Sequence, residues 1–228
     1  MKGRKITFIM KIIGIFLLIF ACFAFGFGQV KTISENEFKA IYDKWSLLSK
    51  NETYRIKMTS ESKLNGSPSN HNQQSINEYA PPDKKRFVSI LKTPRLNTKI
   101  ETIHIGEKKY TRKDDGEWRE VTTKANAPSK NDRIIFVESN EYKYLGREII
   151  NGQKAEVYER ITKHRINNEK TSSESYSTIK TKYWFDKNGL LLKMMNEMEL
   201  ISGIMTSVST NIYDYEYDPK IKIEAPIK

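Results

Sequence analysis

The sequence predicts a mostly β fold: a single curved antiparallel sheet of about ten strands, unclosed or a half β-barrel, packed against one N-terminal amphipathic helix. Three observations predict it. Polar–apolar alternation with a period of two begins at Thr53 and recurs nearly to the C-terminus. Turn chemistry interrupts that alternation at short intervals, among them Asn65-Gly66, Pro81-Pro82-Asp83, Asp114-Asp115-Gly116 and Asn151-Gly152. Helical periodicity beyond the apolar N-terminus occurs once, between Ser34 and Leu48.

The chain opens with basic residues at Lys2, Arg4, Lys5 and Lys11, followed by the uncharged run Ile12–Phe25. That run is the length of a secretory signal's apolar region and short of the ~20 residues a membrane-spanning helix needs. Ala24-Phe25-Gly26 and Gly26-Phe27-Gly28 both have the small-x-small pattern of a cleavage site, so residues 1–28 read as a signal peptide and 29–228 as one β domain. Two alternatives stay open: an uncleaved anchor, and lipidation at the only cysteine, because Leu18-Ile19-Phe20-Ala21-Cys22 is similar to a lipobox. Cleavage after Gly26 or Gly28 leaves no cysteine, which excludes disulfides and thiolate chemistry.

Ser34-Glu35-Asn36-Glu37 is a capping box, and Phe38, Ile41, Tyr42, Trp45 and Leu48 behind it form one apolar stripe on a helix of about four turns. From Thr53 the period is two: Tyr54, Ile56, Met58, Ser60, Ser62 and Leu64 share one strand face, and the residues between them share the other. Shorter strands follow at 75–79, 85–91, 99–105, 108–112 and 118–121, then a polar loop at 122–132. Longer strands occupy 142–150, 154–163, 176–186, 190–200 and 204–217, with a polar hairpin tip at 167–175. Short connections make antiparallel neighbours the expectation.

Composition limits function more than it defines it. Lys and Arg number 39 against 28 Asp and Glu, a net +11, but acids interleave with bases along the whole chain. Nucleic-acid binders concentrate charge on one element or stripe. The charge therefore reads as a solvated outer surface, with an anionic membrane or envelope polymer as its conceivable partner and nucleic acid excluded. His71, His104 and His164 lie far from one another and from any ligand-spaced acid cluster, and no nucleophile elbow or phosphate loop is present. Asp214, Glu216 and Asp218 alternate with Tyr213, Tyr215 and Tyr217, as on a half-buried strand. No enzyme, no metal and no cofactor are expected.

The apolar faces carry more. Leu190, Leu192, Met194, Met198 and Leu200 read as one face of a long strand, and Ile56 and Met58 supply a second methionine-bearing stripe. Methionine accommodates irregular apolar partners.

Two stretches point to a family. Tyr183-Trp184-Phe185-Asp186-Lys187-Asn188-Gly189-Leu190 is similar to a "W-[IVF]-D…G-L" step, and Tyr213-Asp214-Tyr215…Ile221-Lys222-Ile223-Glu224-Ala225-Pro226 to a closing "Y…I…P" strand. With the order signal, amphipathic helix, antiparallel meander, the chain resembles the superfamily of LolA/LolB-type lipoprotein carriers and the related LppX/LprG-type lipid carriers of bacterial envelopes. The resemblance implies a periplasmic or envelope-associated protein and an unclosed β-barrel covered by helices. Only Asn131–Ser139 is left as a second helix. It also implies a lipid or acylated protein as partner. Phe38, Trp45, Ile56, Met58, Leu192, Met194 and Met198 are then the residues expected to line an apolar cavity. The alternative is a structural or interaction module of the envelope with a filled core. Oligomeric state is not legible.

Overall fold

The computed structural model describes residues 30–69, 72–93, 97–122, 133–168 and 173–226. The segment read as a signal peptide, Cys22, His71 and nearly all of the 122–132 stretch lie outside the described residues. The rest is one large antiparallel sheet, open at both edges, with one helix.

In chain order the elements are β1 (Lys31–Thr32), α1 (Glu35–Ser49), β2 (Tyr54–Leu64), β3 (Ser67–Pro68), β4 (Asn72–Ala80), β5 (Lys84–Lys92), β6 (Asn97–Ile105) and β7 (Lys108–Lys113). Then come β8 (Arg119–Glu120), β9 (Arg133–Ile150), β10 (Gln153–Asn168), β11 (Ser173–Phe185), β12 (Leu191–Ser202) and β13 (Met205–Tyr217). Ten of these strands have six residues or more. Spatially the order is β1-β9-β10-β11-β12-β13-β2-β4-β5-β6-β7-β8, with β3 paired on β2. Two meanders are thus joined side by side where β13 meets β2, Tyr217 opposite Tyr54 and Ser207 opposite Leu64.

Local chemistry explains the turns. Asn65 and Gly66 have φ of 48° and 79°, and Asn151 and Gly152 have 51° and 79°, the doubly positive pair that matches the twist of a two-residue hairpin. Strand twist accumulates over so many strands, and the sheet is not closed: β1 and β8 stand at its two edges.

Two expectations are corrected. Asn131–Ser139 supplies no helix, since Arg133–Ser139 is the start of β9 and Ile134-Ile135-Phe136-Val137 is a β-branched and aromatic run paired along β10. Beyond Tyr217 the chain is not a strand, although its alternation still buries Ile221 and Ile223 against Ile103 and Tyr110 of β6 and β7.

The charged outer face is also less solvated than its composition implies. Glu78 and Glu101 are buried within a ladder across β2, β4, β5, β6 and β7. Arg55 Nε donates to Glu78 at 2.7 Å, and Arg86 Nη1 reaches the other Glu78 oxygen at 3.1 Å. Arg86 Nε and Arg112 Nη2 take the two oxygens of Glu101 at 2.7 and 2.6 Å. Alternating charges on neighbouring strands meet side by side, so each carboxylate loses water only where guanidinium donors replace it.

Candidate functional site

The sheet face that carries α1 is the candidate site, called here the inner face. Ser34 Oγ accepts from the Glu37 amide at 3.2 Å and Glu37 Oε2 accepts from the Ser34 amide at 2.7 Å, so the capping box closes as expected. The helix then lays Phe38, 5% exposed, between Tyr142 and Tyr183 at ring separations of 5.2 and 5.3 Å. Further along, Trp45 meets Tyr215 edge-on at 6.1 Å and donates from Nε1 to the Tyr217 hydroxyl at 3.1 Å. That hydroxyl donates to the Leu191 carbonyl at 3.2 Å. Phe185 and Leu191 complete this core.

Burial pushes the Tyr54, Tyr158 and Tyr217 hydroxyls up to about 12 and raises Tyr215 as well. These phenols stay neutral at physiological pH, and two of them donate hydrogen bonds, Tyr158 to Glu156 and Tyr217 to the Leu191 carbonyl.

Cross-strand register lays the inner face out in rows. One runs Tyr158, Tyr183, Met194, Tyr213, Met58 from β10 to β2. The next runs Arg160, Thr181, Asn196, Asn211, Ser60, and the one after it Thr162, Ile179, Met198, Ser209, Ser62. Past α1 the face is therefore largely polar, with Ile179 and Met198 set among hydroxyl and amide side chains. Small side chains here, Thr162, Ser177 and Thr181, are buried, although among the described residues no element lies over them. Arg160 stands opposite Tyr142 and lines a cavity of about 380 Å³ beside α1 with Phe38, Tyr42 and Tyr183. It has no ion-pair partner among the described residues. Asn196 Oδ1 is buried without a hydrogen-bond donor.

Of the residues expected to line the cavity, Phe38, Trp45 and Met194 meet in one cluster. Ile56, Met58 and Met198 share the face but stand half-buried outside that cluster. Leu192 is a correction. A β-bulge where β11 meets β12 pairs Phe185 with Leu191 and Trp184 with Lys193, leaving Leu192 extra. Leu191 is thereby turned into the inner core, and Leu192 packs on the outer face with Ala155, Val157 and Trp184. Sequence reasoning missed Leu191, Tyr142, Tyr158 and Arg160. The tyrosine alternation of β13 was the signal for an aromatic inner face, and it extends to Tyr54, which stacks on Tyr79 at 4.8 Å.

Among the described residues, His104 and His164 have no acid or nucleophile as a hydrogen-bond or ion-pair partner. His104 lies on the inner face between Lys85 and Lys109, and burial together with both lysines holds its pKa below the usual value. Among the described residues no group of three or more His, Cys, Asp or Glu is placed to hold a metal ion, and no helix is long and apolar enough to cross a membrane.

No protein-family model matches the chain, and no curated protein matches it. Solved structures with a similar layout include a DUF1329 family protein from Desulfovibrio piger, at 12% identity over 81% of this chain and 94% of that one, with a TM-score of 0.32. A domain from Vibrio parahaemolyticus named for outer membrane lipoprotein sorting matches at 12% identity over 80% and 93%, also with a TM-score of 0.32. A LolA superfamily protein from Nitrosomonas europaea matches at 9% over 78% and 90%, with a TM-score of 0.26. The superfamily that the sequence resembles is thus among the structural neighbours. A likeness at this level is one of general layout and lends nothing to a reading of function.

Proposed function

We propose that the protein is an exported, non-enzymatic binding protein of the cell envelope that holds an acyl chain, of a lipid or a lipoprotein, on its inner face. The observation that carries this reading is the half-finished cover. α1 closes the aromatic end of the face, while Ile56, Met58 and Met198 remain half-buried with no second layer over them among the described residues. An acyl chain laid along that surface would gain roughly 0.8 kcal/mol per CH₂ removed from water. The row of Arg160, Thr181, Asn196 and Asn211 would meet the polar end of the same ligand.

The tight aromatic packing beneath α1 favours the second reading, a filled-core interaction module. Native mass spectrometry of protein purified from an envelope fraction, paired with organic extraction, separates the two. The carrier reading expects a stoichiometric acyl-chain adduct that Met58→Glu and Met198→Glu reduce in still-folded protein. A bare polypeptide mass that ignores added phospholipid leaves the interaction module.

A further inference from the structure

Nine of the sixteen large apolar side chains that stand exposed among the described residues lie at one end of the sheet, the end away from α1. On the inner face they are Ile135 and Val137 of β9, Met205 of β13 and Leu64 of β2, and on the outer face Ile134, Phe136, Tyr176 and Ile201. At the tip of the β12–β13 hairpin Ile204 is 98% exposed. The register puts them in adjacent rows: Phe136 opposite Arg165, Tyr176 and Ile201 beside it, and Val137, His164, Ser177, Leu200, Ser207 and Leu64 one step in. Exposed apolar side chains gathered at one rim, here interspersed with polar ones, mark an interaction surface.

We infer that this rim docks on a lipid bilayer surface. Two features select a bilayer over a protein. The side chains project from both faces of the sheet, so only a medium that surrounds the rim can dry all of them at once, whereas a rigid partner covers one side. The rim also spans six strands from β9 to β2, about 24 Å. The unpaired edge of β9 could accept a strand from a second copy, yet such a strand would leave Ile201, Ile204, Met205 and Leu64 untouched.

Charge in the row behind the rim fits the same occupant. One row behind the rim, Lys63 and Lys163 flank the single acid Glu199, at the depth of phosphate headgroups when the tip enters the interface. Within the rim, Arg165 lies over the Phe136 ring at 5.2 Å and reaches Glu138 and Glu174 at 3.8 and 3.5 Å, one cation between two acids. The rim does not depend on the inner-face reading: a protein that docks on vesicles but yields no extracted lipid keeps the one and loses the other.

The test reads the rim position itself, so that the apolar N-terminus cannot mimic the result. In a Cys22→Ser background of the full chain, Ile204→Cys and Ile149→Cys each receive an environment-sensitive fluorophore. Ile149 is 70% exposed at the opposite end of β9. With mixed phosphatidylcholine–phosphatidylglycerol vesicles the label at 204 is expected to shift to the blue and be quenched by brominated acyl chains, the label at 149 to do neither, and a further Ile201→Asp to weaken the response at 204. A label at 204 that stays in water, equal responses at both positions, or a shift that grows with protein concentration in the absence of vesicles each overturns the proposal; the last would mean self-association.

Discussion

Strand β11 enters the sheet at Ser173 among exposed polar residues and leaves it at Phe185 after three consecutive buried aromatics, Tyr183, Trp184 and Phe185. The neighbouring strands repeat the contrast. At the α1 end, Phe38, Leu191 and Tyr142 are sealed, while at the far end Val137, equally apolar, is 58% exposed. Residue type does not separate the two ends. α1 lies over the first end and not the second, while on the outer face Val157 and Trp184 are buried without it. Burial on this sheet comes both from α1 and from neighbours on the same face, and the end of β9 at Val137 has neither.

The sharpest way to break that contrast is to remove a side chain from each end of the inner face. Phe38→Ala takes a buried ring from between two tyrosines and is expected to cost about 4 kcal/mol in chemical denaturation. Met198→Ala, from the half-open face, is expected to cost under about 1 kcal/mol, because water already reaches the site. Equal losses would mean that the open end is packed as tightly as the closed one.

That contrast was partly legible in the sequence. The capping box, the stripe from Phe38 to Trp45 and the two faces of β2 follow from spacing alone, because helix and strand periods act over a few residues. The side-by-side meeting of β13 with β2 did not, since pairing between strands more than 140 residues apart leaves no local mark. Nor did the bulge that exchanges Leu191 for Leu192, where one extra residue reverses the facing of the residues before it. The buried Glu78 and Glu101 were read as solvated because each is charged; only the register shows that Arg55, Arg86 and Arg112 stand beside them.

That ladder sharpens the comparison from the other side of the sheet, where β4 to β7 have no helix over them and are tied by ion pairs. Glu101→Gln leaves Arg86 and Arg112 facing a neutral amide and is expected to cost about 3 kcal/mol. Burial raises the Glu101 pKa, but hydrogen bonds from Arg112 and Arg86 outweigh it and hold the pKa below the usual value. A folded pKa below the unfolded one means the stabilisation is complete above the unfolded value, about 4.3, and is lost as pH falls through the folded one. Wild-type protein should therefore lose stability on acidification in that range more steeply than Glu101→Gln. Parallel acid profiles for the two would show that the ladder is electrostatically idle.

The smallest expected effect is at the hinge of the contrast, where α1 begins. Ser34→Ala removes the side-chain oxygen that accepts from the Glu37 amide and is expected to cost about 1 kcal/mol. Because α1 covers only the aromatic end, the loss should be local. Amide exchange should quicken in α1 and in the strands beneath Phe38, while β5 and β6, which α1 does not touch, keep their protection. The loss enters through the helix, so its spread across the sheet measures how far the cover reaches. A uniform rise in exchange across every strand would mean that the two ends unfold as one unit, and the division between a packed end and an open end would then describe exposure without describing stability.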